Sequence, residues 1–476
     1  MLPARPWALP LRILLFVLLA ALLNLAPRPH ALRTAQNQAR LALQNNELLS
    51  AAFYVEHAAQ LSPGRSDLAR LAARYYLESS NPQQAIAVLE QLALTSELSA
   101  VDLLALGDAY QQTGEVLMAA AIWQRAAQLA PALDIYQRLA DYHQARGEYP
   151  QELEDLHQML RIQPANARVN YRIGLVYAAV EPERGLAYLS QAAVLDPELA
   201  DSALDLQRKI RTATLFTEPA YTFTASGRVL ATLNEWDLAE AAFLQATRLR
   251  PDYAEAWAFL GEARQHSTLA ATREYPGLPE LQQALRLDAS SVSANLLMGL
   301  YWSRQGDYGL AYGYIQTTLS LDPDNPLLVA ELANTLALQG DLPAAQAAYQ
   351  QAISLAPDDP LFYRLLAEFS LSHRIQIREI ALPAARTAVI LSPQEARSLD
   401  LLAQALILLE DSLSAERFLL QALESDPFYG PAHLHLGMIY LQRGEVARGR
   451  QEFELAMGSD SWTVEQAQRY LGNYYP

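Results

Sequence analysis

The 476-residue sequence has no cysteine and only one lysine, Lys209. The first absence excludes disulfides, thiolate metal sites and cysteine nucleophiles. The second leaves arginine as nearly the whole positive charge, and a biased base composition explains that without invoking function. Charge of one sign is short as well: 52 acidic residues against 35 basic ones give a net −17, which argues against the basic face that nucleic-acid binding needs. Strand signals are scarce, because β-branched runs are few in a chain rich in Leu and Ala, and that composition favours helix throughout. No GxxxxGK[ST] occurs, and no GxGxxG follows a strand. The eight histidines are scattered. His433 and His435 sit two apart, so on a helix they point to different faces. His143 and His157 fall on separate helices with no third ligand in view. Acidic pairs such as Glu152/Asp155 and Asp201/Asp205 read as solvated helix faces. The expectation is therefore a non-enzyme, with no cofactor and no metal.

What is present is a period. Pro326 to Asp359 reads as two amphipathic helices, broken at Gly340-Asp341 and stopped by Pro357. Such a hairpin cannot bury its apolar faces alone and needs copies on either side. Pro63, Pro131, Pro164, Pro197, Pro251, Pro323, Pro357, Pro393 and Pro427 recur in steps of 68, 33, 33, 54, 72, 34, 36 and 34, mostly one or two periods of 34. Twenty-four residues before each boundary, or at the equivalent place, stand Ala39, Ala73, Gly107, Ala140, Gly174, Gly227, Gly261, Gly299, Ala333, Ala367, Ala403 and Gly437. Side chains this small let two helices cross closely, and large partners such as Trp123, Phe243, Tyr349, Leu419 and Phe453 fill the remaining space.

These residues resemble the tetratricopeptide repeat (TPR) family, whose pattern is W-x2-L-G-x2-Y, then A-x3-F, then P. Trp257-x2-Leu260-Gly261 carries its start, and Leu436-Gly437-x2-Tyr440 with Phe453-x2-Ala456 carries most of the rest. The resemblance implies an all-α fold, a right-handed superhelical solenoid of about twelve hairpins. The expected organisation is a leader and anchor over 1–31, about five repeats over 32–199, an intervening helix or hinge at 200–219, about seven repeats over 220–463, and a capping helix over 464–476.

The breaks in the period are the places to look for specificity: 200–219, the stretch 265–279 with Pro276, Gly277 and Pro279, and the region 375–383, where Pro383 predicts a kinked helix. The resemblance further implies that the first helix of each hairpin lines a concave groove for a protein or peptide partner. Its candidate lining residues are Gln112, Tyr171, Tyr221, Arg228, Glu262, Arg304, Asn334, Arg364, Glu368 and Asp400. The Lys, Asn and Arg cluster with which one TPR subclass clamps a chaperone's terminal carboxylate has no match, since the groove positions carry no lysine and Asn334 stands alone.

At the amino terminus, Arg5 and Arg12 precede the apolar run Ile13 to Ala26, and Trp7 to Ala26 supplies 20 mostly apolar residues. Pro27 and Pro29 disfavour cleavage after Ala26 or Ala31, so the expectation is an uncleaved single-pass transmembrane helix. The repeats would then lie on the extracytoplasmic side. Two functions follow as expectations: a membrane-anchored TPR scaffold that binds protein partners through its groove, or an accessory subunit of a membrane-embedded envelope or polysaccharide-assembly enzyme. No nucleic-acid partner is expected.

Overall fold

The computed structural model describes residues 29–216, 218–268 and 270–474. Among these residues the chain is all-α, with 26 helices and no strand. It divides into two compact units, Met1–Ala242 and Phe243–Pro476.

In the first unit, five hairpins run in sequence: Pro29–Gln44 with Leu48–Leu61, Ser66–Glu78 with Pro82–Ala93, Ala100–Gln112 with Val116–Leu129, Leu133–Ala145 with Tyr149–Ile162, and Ala167–Val180 with Pro182–Leu195. An 18-residue helix, Pro197–Thr214, follows, packed against both Pro182–Leu195 and the next helix, Pro219–Thr232. Although two helices, Pro182–Leu195 and Pro197–Thr214, intervene in sequence, Ala167–Val180 packs directly against Pro219–Thr232. The unit is drawn together further by Tyr149, whose hydroxyl donates to the Asp237 carbonyl at 3.0 Å.

The second unit repeats the hairpin: Ala254–His266 with Leu278–Leu287, Val292–Arg304 with Tyr308–Leu321, Pro326–Gln339 with Leu342–Leu355, Pro360–Ser372 with Leu382–Leu391, Ala396–Leu408 with Ser412–Ser425, and Gly430–Gln442 with Val446–Ala456. Ser461–Tyr474 closes it, with the Tyr470 ring stacked on Phe453 at 4.9 Å.

All twelve small residues of the 34-residue ladder are buried. Their purpose is visible in what a methyl group would strike: Trp123 beyond Gly107, Leu189 beyond Gly174, Ile315 beyond Gly299 and Phe453 beyond Gly437. Each hairpin thus interlocks one absent side chain with one large one, and no single core is needed. The hairpin turns carry a second regularity. Asn46, Ser80, Gly114, Gly147, Gly306, Gly340, Arg374, Glu410 and Gly444 all have positive φ. At Gly340 the next amide, of Asp341, returns to the Leu336 carbonyl at 3.0 Å, and the Asp341 carboxylate then accepts from the Ala344 amide to start the second helix.

The expected kink at Pro383 is replaced by a different device. Pro383 lies in the first turn of Leu382–Leu391, where it obstructs nothing, and the irregularity sits just before it as a π-turn over Ile377–Ala381. In the stretched unit, a short 3-10 turn at Ala270–Thr272 and a left-handed Gly277 shorten the second helix to ten residues.

The expected single-pass membrane location is corrected. Among the described residues no helix is long and apolar enough to cross a membrane. The apolar run over 13–26 on which that expectation rested lies outside the described residues.

Candidate protein-interaction site

Five of the ten residues expected to line a groove, Glu262, Arg304, Arg364, Glu368 and Asp400, are held in ion pairs that reach from one hairpin to the next. In the second unit, Arg304 donates to both Glu262 oxygens at 2.7 and 3.1 Å and to Gln265 at 2.7 Å. Arg364 is ion-paired with Glu395, and Arg397 donates to Glu368 at 2.7 Å. His435 donates through Nδ1 to Asp400 at 2.6 Å, with the pair fully enclosed. Asn334 is exposed and donates only within its own helix, to Glu331 at 3.3 Å. Arg70 with Asp102 and Arg138 with Asp108 repeat the device in the first unit.

These pairs shape the titration of their members. Burial raises the Glu262 carboxyl, but hydrogen bonds from His266 and Arg304 outweigh it and hold the group below its ordinary value. Burial alone dominates at Glu331, whose carboxyl is pushed up. Arg364 is lowered by burial and by the neighbouring Arg397 charge.

His433 and His435 face different partners, as their spacing requires. His433 donates to Glu452 at 2.7 Å and to the Pro427 carbonyl at 3.2 Å, while His435 turns to Asp400. Among the described residues no group of three His, Asp or Glu side chains could hold a metal ion.

Gln112 is exposed at the end of Ala100–Gln112, while Tyr171, Tyr221 and Arg228 converge on one element, the extra helix Pro197–Thr214. The Tyr171 phenol is half-buried, and burial pushes its pKa up while the nearby Ser202 of that helix partly offsets this. Tyr221 sets its ring edge on Phe216, 6.3 Å between centroids. Tyr221 also lines a hollow of about 400 Å³ with Lys209, Thr212, Ala213, Phe216 and Ala225. Arg228 lines an adjoining hollow of about 360 Å³ with Asp205, Lys209, Ala225, Val229 and Thr232. The two share Lys209 and Ala225, so they form one cleft along the helix. Sequence reasoning passed over Lys209 and Phe216. Lys209 stood out only as the single lysine, and Phe216 belongs to no repeat position.

The geometry is that of a helical-hairpin repeat protein. Residues 224–267 and 304–369 match families described as tetratricopeptide repeat, and the chain carries such repeats over these two stretches. The DnaJ homolog subfamily C member 7 homolog of Schizosaccharomyces pombe is 31% identical over 220 residues, 42% of this chain and 44% of the relative. The chain therefore spans less than half of that relative's length. Among solved structures, yeast Tom70 aligns at 16% identity and a TM-score of 0.37, covering 79% of this chain and 97% of that one. The APC/C hetero-tetramer Cut9–Hcn1 aligns at 14% identity and 0.43, covering 94% and 99%. MamA from Desulfovibrio magneticus aligns at 20% identity and 0.31, covering 35% and 93%.

Proposed function

We propose that this chain is a protein-binding scaffold with no catalytic activity of its own, engaging segments of partner proteins along the faces of its hairpins. The observation that supports this most is the tetratricopeptide repeat over 224–267 and 304–369, set in a longer run of the same hairpin. A stacked repeat presents extended surface and few enclosed cavities, which suits a peptide or a partner helix better than a small substrate. Because the ion pairs between first helices neutralise one another, we assign the selectivity to the helix Pro197–Thr214 and its cleft rather than to the regular rungs.

The test is a random-peptide display library panned against the purified full chain. Reproducible enrichment of related sequences is expected. Enrichment no greater than on blank beads, or equal on heat-unfolded chain, would overturn the reading.

A further inference from the structure

We propose that the cleft along Pro197–Thr214 binds a partner segment in which an aromatic or large aliphatic side chain is flanked by carboxylates. This rests on the scaffold reading above and names the chemistry of its partner. The apolar half follows from the walls. Phe216, which lines the hollow, is 65% exposed, and the preceding Leu215 is 79% exposed. The hollow beneath them is of the size that takes a side chain rather than a folded domain. Exposed aromatic surface beside a preformed hollow is the usual anchor of an interface.

The anionic half follows from charge. Lys209 lines both hollows, is exposed, and among the described residues makes no hydrogen bond or ion pair. Arg228 stands across the cleft from it in the second hollow. The one carboxylate lining that hollow, Asp205, is ion-paired with Arg208 of its own helix. A basic segment would therefore meet the Lys209 ammonium and an acid already engaged, whereas a carboxylate finds an ammonium without a partner among the described residues. Acidic residues do gather nearby, but in a separate hollow lined by Glu181, Glu183 and Glu218 with Thr222 and Phe223, on another face of Pro219–Thr232. In a chain of net charge −17, this leaves the cleft as a local site of opposite sign.

The experiment uses the same library against the full wild-type chain, Lys209→Glu and Phe216→Ala. Lys209 is exposed, so Lys209→Glu removes no packing; Phe216→Ala gives up an edge contact with Tyr221, so thermal unfolding of both variants is measured alongside binding. The expected result is enrichment of sequences combining Phe, Trp, Tyr or Leu with Asp or Glu, whose binding, measured by titration of one synthesised winner, weakens about tenfold or more in each variant. Enriched peptides that bind both variants as well as wild type overturn the cleft while leaving the scaffold reading intact. Basic peptides that bind Lys209→Glu more tightly overturn the charge assignment. Self-association of the wild-type chain, lost in both variants, would show the occupant to be a second copy and overturn the proposal. No enrichment on any chain removes the scaffold reading itself.

Discussion

His435 Nδ1 lies 2.6 Å from Asp400 Oδ1, in a pair that bridges the first helices of two consecutive hairpins and is closed to solvent. Burial pulls the imidazole toward its neutral form, but the Asp400 charge and hydrogen bond outweigh it and raise the group above the ordinary histidine value. A raised folded value binds protons more tightly than the unfolded chain does. The resulting stability is complete below the unfolded value near about 6.5 and is lost as pH rises through the raised one. Amide exchange across 396–442 should therefore speed up as pH climbs through that window, beyond the intrinsic pH dependence of exchange. In His435→Gln the excess shrinks to what His433, also raised by its hydrogen bond to Glu452, contributes, and the Asp400 carboxylate, buried without its cation, lowers local stability by about 3 kcal/mol. Identical excess profiles for the two chains would refute this.

The opposite sign holds at Glu262. Its carboxyl is held below the ordinary value, since His266 and Arg304 outweigh burial. That stability is present above the unfolded value near about 4.3 and is lost as pH falls through the depressed one. Arg304→Met removes one of the two cations and should move the acid-side opening of 254–304 to higher pH. The cost at neutral pH is only about 1 kcal/mol, because the Arg304 side chain is 35% exposed. Exchange rates at stepped acid pH, compared with wild type, check it.

Arg172 donates at 2.7 Å to Glu152 and at 2.9 Å to Glu235, joining the fourth hairpin to the turn before Trp236. Glu152 is 1% exposed, and among the described residues its Oε2 finds no hydrogen-bond donor. Burial raises its carboxyl in spite of Arg172. Arg172→Met should cost about 3 kcal/mol, since it strands that carboxylate. The double variant with Glu152→Leu should recover much of the loss, a coupling that urea unfolding of the four chains measures.

The 34-residue ladder was legible because packing imposes it: a small residue is required wherever two helices cross, so Gly107 and Trp123, or Ala333 and Tyr349, stand a fixed sixteen apart. The turn conformation was legible only where glycine occupies it. Asn46, Ser80, Arg374 and Glu410 adopt the same positive φ because the closing hydrogen bonds of the hairpin demand it, and nothing in those residue types announces it. The ion pairs were not legible either. Arg70 with Asp102 and Glu262 with Arg304 are 32 and 42 residues apart, separations set by how hairpins stack and not by any local pattern. For the same reason a groove face read from single residues looked available when its charges are already matched. Lys209 and Phe216 lie where the period lapses, so the ruler that found the hairpins had no position for them.

The tightest interlocks give the last prediction. A methyl group at Gly437 would lie 2.6 Å from Phe453 Cε1, the edge of a buried side chain that must move to make room but is not backbone. Alanine there gains about 1 kcal/mol of helix propensity and loses roughly 1–3 kcal/mol to overpacking, a small net destabilisation. Gly277 is different. Its φ is +85°, and an added Cβ would fall 1.9 Å from the Gly261 carbonyl oxygen, which is backbone and cannot turn aside. Gly277→Ala must therefore part the two helices of the stretched hairpin, and its cost should exceed that of Gly437→Ala by about 2 kcal/mol or more. Thermal unfolding of the two variants side by side measures the order, and a Gly277→Ala chain as stable as Gly437→Ala would show that this crossing is not as close as the backbone places it.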